Sequence, residues 1–183
     1  MLRDEPIYQQ FVNDFSKELY NLPGKFSNLV FFCIGTDRIT GDSFGPLVGY
    51  KLDYLFHQLN PQITIEVVGN LERPVCASNV EQEIQRIYYT YPHPCVVAID
   101  AALSGSENIG KILVQRKSMN IGKSLDKKLI TIGDISIKGI VARNYKMVKH
   151  NLETLQNTPL GLVMNLADIT SKRNLWSNKI CIK

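Results

Sequence analysis

The sequence predicts an α/β fold, a three-layer helix–sheet–helix sandwich around a mostly parallel central sheet. Two short, uninterrupted apolar runs, residues 29–34 and 95–99, are typical of strands that are buried on both faces. Such strands belong to parallel sheets that helices cover on both sides. Stretches with helical spacing of apolar residues alternate with strand-like runs along the chain, which favours the same architecture with right-handed crossovers.

The elements follow one another in a clear order. Ile7, Phe11, Phe15 and Leu19 recur at every fourth position, so an amphipathic helix is predicted before the turn at Pro23. The predicted helices are residues 5–21, 47–59, 79–89, 141–154 and 160–171. The predicted strands are residues 29–34, 63–68, 95–100, 111–116 and 128–137, with a loop at 118–127.

Length and composition limit the classes of protein. The 183 residues predict one domain, residues 1–183, with its core at about 28–175. Apolar residues make up 44% and charged residues 21%, which excludes a disordered or fibrous chain. The net charge of +4 is spread without the dense basic stripe of a nucleic-acid binder. We expect no membrane segment and a cytoplasmic location, because no apolar run approaches spanning length and the four cysteines suggest no disulfide framework.

Polar side chains follow two of the predicted buried strands. In open parallel sheets, functional groups collect beyond the carboxyl ends of the strands. The loop Gly35–Pro46 follows the first such strand, and Asp100 ends the third. Neighbouring strands lie about 4.8 Å apart, so adjacent placement would bring Asp42 and Asp100 together across a small cleft. Asp42 also stands before a helix, where an aspartate commonly serves as the N-cap.

Two carboxylates at that spacing allow two kinds of chemistry. One retains a proton and polarises a carbonyl while the other activates water, or both hold a divalent metal ion. The residues leave both alternatives open, and no cofactor is otherwise predicted. Within the same loop, Thr36, Asp37, Arg38 and Ser43 are expected to shape the loop or to contact substrate. The sequence argues against nucleotide binding, since neither GxGxxG nor GxxxxGK(S/T) occurs and the acidic loop would repel phosphate.

Four sequence blocks resemble one protein family. The blocks are IGTDRITGDSFGPLVGYKL, VVAIDAAL, IGDISIKGIV and LQNTPLGLVMNLADIT. They look like the sporulation protein YyaC family, and they occur in that order across residues 28–175, nearly the whole chain. That family is similar to the germination protease of spore-forming bacteria and, more distantly, to the hydrogenase maturation proteases. The resemblance implies a phosphorylase/hydrolase-like fold with Asp42 and Asp100 as the catalytic acids.

The same resemblance implies a peptidase of sporulation or germination. Its partner would be small spore proteins or another protein or peptide substrate, in the forespore or mother cell, with neither nucleic acid nor membrane involved. The hydrogenase proteases carry a histidine after a later strand, and residues 118–139 of this chain contain none. This departure favours a rival hypothesis, a catalytically inactive binding or regulatory protein of the same fold. A metal-dependent peptidase is the third alternative, and the sequence does not distinguish a monomer from a homo-oligomer.

Overall fold

The computed structural model describes residues 5–24, 26–58, 63–121, 130–173 and 175–176. Its helices are α1 (Glu5–Tyr20), α2 (Phe44–His57), α3 (Val80–Thr90), α4 (Val148–Gln156) and α5 (Leu160–Thr170). Its strands are β1 (Asn28–Cys33), β2 (Thr64–Val68), β3 (Cys95–Ser104), β4 (Ile112–Gln115), β5 (Met119–Ile121), β6 (Ile130–Ile132) and β7 (Ile135–Arg143). A 3₁₀ turn, Thr40–Ser43, leads directly into α2.

The central sheet has the strand order β2-β1-β3-β7-β4. Strands β2, β1, β3 and β7 run parallel, and β4 pairs antiparallel with β7 at one edge. The two apolar runs of the sequence become β1 and the first half of β3, which lie side by side in the interior. Such strands can occupy the interior of a parallel sheet because both of their faces are covered. The predicted, mostly parallel sheet is therefore confirmed.

Two apolar clusters cover the two faces of the sheet. Residues at odd positions of β1 and β3, including Phe31 and Val97, pack against α1, α2 and α5. Residues at even positions, including Val30 and Val96, pack with α3 and with the small antiparallel sheet β5–β6. The Trp176 ring closes the first cluster edge-on against Phe31, at a ring-centroid distance of 4.8 Å. The three-layer sandwich follows from this alternation, because successive side chains of a strand point to opposite faces.

Two of the predicted elements are wrong. The strand expected at 128–137 is two strands, β6 and β7, because Gly133 turns the chain at φ 97° between them. The helix expected at 141–154 begins only at Val148, since β7 continues to Arg143. Residues 142 and 143 stay extended because they pair with Leu103 and Ser104 of β3, beyond a register shift.

Part of the predicted loop at 118–127 is also strand, namely β5. Expectations that fall on residues 59–62 and 122–129 lie outside the described residues. Among the residues that the structure describes, no helix is both long enough and apolar enough to span a bilayer. The remaining predicted strands and helices are confirmed to within a few residues at their ends.

Two glycines at the second position of a helix offer a matched test of this packing. A Cβ at Gly45 in α2 would overlap the backbone carbonyl of Ile34, whereas a Cβ at Gly161 in α5 would meet nothing within 4 Å. We expect Gly45→Ala to lower the free energy of unfolding by about 3 kcal/mol or more, because backbone atoms must move apart. We expect Gly161→Ala to raise it by about 0.5–1 kcal/mol. Urea unfolding measures both, and equal effects of the two substitutions would contradict this packing.

Candidate functional site

The loop after β1 folds back over the end of its own strand. Gly35 has φ 138°, and a side chain at this position would overlap the carbonyl oxygen of Asp42. The Gly35 N–H donates to the carbonyl of Val75 at 2.8 Å, which ties the start of the loop to the segment that follows β2. The chain then returns through the 3₁₀ turn, so that Asp42 lies above the carboxyl end of β1.

The Asp42 carboxylate holds the loop that precedes it. Its Oδ2 accepts a hydrogen bond from the Thr36 N–H at 3.0 Å, and its own N–H donates to the Ile39 carbonyl at 2.9 Å. The N-cap position of α2 is Ser43, and no side-chain capping bond is formed there. The prediction that Asp42 caps this helix is therefore wrong, because its carboxylate is directed to the backbone six residues earlier.

Asp100 reaches the same place from the neighbouring strand. Cys33, the last residue of β1, pairs with Ile99 of β3, so Asp100 lies one residue beyond the end of β1. The side chain is partly buried. Five fully or nearly fully buried residues, 95–99, precede it and anchor its strand in the core. The tertiary structure thus brings the carboxylates of Asp42 and Asp100 within electrostatic reach of each other.

Burial raises the pKa of both carboxyl groups of the pair. Burial raises the pKa of Asp100 well above its usual value, and the nearby Asp42 carboxylate raises it further. The Ala101 N–H and the Lys138 ammonium act in the opposite direction. Burial also raises the pKa of Asp42, against the hydrogen bond from the Thr36 N–H. A pair of this kind keeps one proton at a pH where two isolated aspartates would both be ionised.

Lys138 is the third charged group of the site, and the sequence analysis missed it. It lies in β7 directly opposite Asp100, in the register Asp100↔Lys138, and it is partly buried. The predicted strand ended at Ile137, one residue short. A signal was present, because a single lysine interrupts the otherwise uncharged stretch of residues 135–142.

The other loop residues divide into two groups. Ser43 is buried and its hydroxyl donates to the Thr40 carbonyl at 2.6 Å, while the Thr36 hydroxyl accepts from the Arg38 N–H at 3.3 Å. These two side chains shape the loop. Asp37 and Arg38 are exposed at its tip, where they are accessible to a ligand that approaches the site.

The site offers few donor groups to a divalent metal ion. The described residues contain no group of three or more His, Cys, Asp and Glu side chains that could hold one. Of the histidines, His57 lies 3.6 Å from Asp53 at the end of α2, and His150 is exposed in α4. The pair therefore offers two carboxylates with an ammonium group beside them, and an ammonium group cannot ligate a cation while it is protonated.

A separate cleft lies elsewhere on the molecule. It has a volume of about 880 Å³ and follows the free edge of β2 between α2 and α3, and neither Asp42 nor Asp100 lines it. Three of its charged groups form ion pairs, since Arg86 lies 2.8 Å from Glu83 and 3.6 Å from Glu66. The aspartate pair is the stronger candidate for chemistry, because two carboxyl groups of raised pKa lie together there.

Comparisons with known proteins agree with the resemblance found in the sequence. Residues 1–173 match the family described as "Protein of unknown function (DUF1256)". A Bacillus subtilis (strain 168) relative, described as "Uncharacterized protein YyaC", is 36% identical over 170 residues, which is 92% of this chain and 78% of the relative. The crystal structure of a NiFe hydrogenase maturation protease, HycI from Thermococcus kodakarensis KOD1, matches with a TM-score of 0.52 at 19% identity, over 86% of this chain and 96% of that one. The predicted family resemblance and the predicted fold are both confirmed.

The raised pKa of Asp100 predicts how stability depends on pH. A carboxyl whose pKa is higher in the folded state than its usual value of 3.8 stabilises the fold fully below that value. This contribution is lost as the pH rises through the folded pKa, and each pKa unit corresponds to about 1.4 kcal/mol. We therefore expect Asp100→Asn to raise the free energy of unfolding at pH 7, with little difference from the parent at pH 3.5. Urea unfolding at the two pH values measures this.

Asp37→Asn is the matched control, because Asp37 is exposed in the same loop. Its effect should stay within about 0.5 kcal/mol at both pH values. If Asp100→Asn instead destabilises the protein at pH 7, the ionised carboxyl is stabilised by a partner and the predicted pKa direction is wrong.

Proposed function

This chain belongs to the DUF1256 family and shares its fold with a hydrogenase maturation protease, and we propose that it is a peptidase acting on a protein substrate. One observation carries the proposal. Two carboxyl groups from adjacent strand ends, Asp42 and Asp100, lie close enough for the Asp42 carboxylate to disfavour ionisation of Asp100. The fold alone does not determine the activity, so the argument depends on this pair.

The proposed chemistry divides the work between the two carboxyl groups. Asp42, whose ionised form accepts the Thr36 N–H, takes a proton from water as the oxygen attacks the scissile carbonyl carbon. Asp100, whose pKa is raised further, keeps its proton and donates a hydrogen bond to the carbonyl oxygen. The proton taken from water then passes to the leaving nitrogen, and the C–N bond breaks to give an acid and an amine.

The family resemblance supplies the first substrates to test. Small spore proteins in the forespore or mother cell of a spore-forming bacterium are the class that this resemblance suggests. A protein partner also agrees with the position of the pair at the rim of the sheet, where the exposed Asp37 and Arg38 can meet a chain that enters from solvent.

An exposed apolar surface beside the loop supports a peptide substrate. We call Met147, Val148 and Leu152 the α4 patch; their exposed fractions are 59%, 70% and 46%. No residue of α4 is buried, yet a Cβ at Gly41, next to Asp42, would stand 2.8 Å from the Leu155 side chain of this helix. The α4 patch is therefore continuous with the site, and we infer that it holds apolar side chains of the substrate.

The same surface also favours a second candidate function. A protein that binds a partner at the α4 patch without cutting it would keep the loop and the aspartates as a recognition site. The two functions differ in one observable, since only a peptidase gives products of defined mass. A stable complex with an uncleaved partner would favour the binding protein.

The proposed peptidase is tested with purified small acid-soluble spore proteins and mass spectrometry. We expect defined products from the parent protein. Asp42→Asn and Asp100→Asn should each lower the rate by about 10²–10⁴-fold, because each removes one half of the proton transfer while retaining an oxygen acceptor. If both folded variants give the same cleavage products at the parent rate, the proposal is refuted.

Asp134→Asn is the control for these variants. Asp134 lies at the opposite end of β3, where its Oδ2 accepts the Val96 N–H at 2.8 Å, and an asparagine oxygen preserves this bond. Its rate of cleavage should equal that of the parent. An equal loss in all three variants would point to a general effect of aspartate replacement on the fold.

The α4 patch predicts a separate change in substrate binding. We expect Leu152→Asp to raise KM about tenfold at unchanged kcat, because the patch contributes binding away from the reacting bond. Tyr89→Asp is the control, since Tyr89 is 93% exposed in α3, a helix on the other face of the sheet. A fall in kcat with unchanged KM in Leu152→Asp would contradict the role of the patch.

A further inference from the structure

Lys138 occupies a position that strand packing alone does not explain. Its neighbours Ile137 and Gly139 are buried, and β7 runs between β3 and β4 inside the sheet. An ammonium group in such surroundings loses hydration, and it is retained where a carboxylate compensates for that loss. Among the described residues, Lys138 forms no ion pair within 4.0 Å with any carboxylate, Asp100 included, so its attraction to Asp100 acts over a longer distance.

Two observations place Lys138 near the aspartate pair, one for its side chain and one for the strand that carries it. The first is the strand register, which places Lys138 opposite Asp100. Side chains of directly paired residues point to the same face of a sheet, on strands about 4.8 Å apart. The second is the ring of Phe44, which stands 2.9 Å from the place that a Cβ of Gly139 would take. Phe44 follows Asp42 by two residues, so this contact holds the loop of Asp42 against the β7 segment that carries Lys138.

We propose that the Lys138 ammonium is the resident cation of the Asp42–Asp100 pair, and that this site operates without a divalent metal ion. The charges support this assignment: two carboxylates that share one proton carry a single negative charge, and one ammonium group balances it. A divalent ion would add to the positive charge of Lys138, and the described residues offer it no third His, Cys, Asp or Glu ligand. The proposal concerns the charges of the site and holds whether or not the pair cleaves peptides.

The ammonium has a definite part in the proposed hydrolysis, and this part rests on the proposed function. It lies beside Asp100 and stabilises the negative charge of the pair, so that one carboxylate is ionised and ready to accept a proton from water. Lys138 contacts neither the attacking water nor the scissile bond in this account. It is a positioning residue that sets the charge of its neighbours.

The test follows the carboxyl groups themselves and not the products of cleavage. Carbon-13 NMR of labelled aspartate, recorded against pH, reports the titration of Asp100 in the parent, in Lys138→Met and in Lys138→Arg. We expect the pKa of Asp100 to rise in Lys138→Met, which removes the charge at similar length. It should stay near the parent value in Lys138→Arg, which keeps the charge. An unchanged pKa in a folded Lys138→Met would overturn the assignment.

Titration with Zn²⁺ and with Mg²⁺, followed by the same signals, tests the second half of the proposal. In the parent protein, neither ion should shift the carboxyl signals of Asp42 or Asp100 at one equivalent. A shift at that ratio that disappears in Asp100→Asn would show a metal site and overturn the proposal. If the parent cleaves a spore protein, cleavage should persist in a chelator and fall at least tenfold in Lys138→Met. If no cleavage is found, the NMR results still decide the role of Lys138.

Discussion

The fold and the site both depend on the close contact between the end of β1 and the start of α2. Gly45 lies against the backbone of Ile34, and Gly35 lies against the carbonyl of Asp42, so backbone meets backbone with no side chain between them. This approach keeps the 3₁₀ turn on the strand end, and the turn carries Asp42. The position of a charged side chain is thus determined by steric packing at glycine, at a point where a Cβ could not be accommodated.

The apolar core opposes an unfavourable arrangement of charge at the rim of the sheet. Burial raises the pKa of both aspartates, and repulsion from Asp42 raises that of Asp100 further, so their ionised forms destabilise the folded state at neutral pH. The preceding residues of β3 are buried on both faces, and they hold Asp100 in place in spite of this cost. A local conflict of this kind, supported by consistent packing around it, is typical of a functional site.

Continuous apolar runs predicted the structure correctly, whereas a single polar side chain before a helix and an apolar segment without a clear period did not. Uninterrupted apolar runs predicted β1 and β3 correctly, because short apolar runs that end at turn residues are typical of strands covered on both faces. The capping role of Asp42 was wrong because a side chain before a helix can bond in either direction along the chain, and here it bonds back to Thr36. Val141 was assigned to a helix because its apolar neighbours suit either period, and pairing with β3 decided in favour of the strand.

The sequence by itself determined the fold class, the family and the two aspartates at strand ends, because apolar periodicity and local motifs are written in consecutive residues. Only the tertiary structure decided that these aspartates share a site, since this depends on β1 and β3 being neighbours in the sheet. The same holds for Lys138, which is separated from Asp100 by 38 positions in the chain but lies opposite it in the strand register. Pairing between distant strands is a property of the whole packed sheet, and no local pattern of residues specifies it.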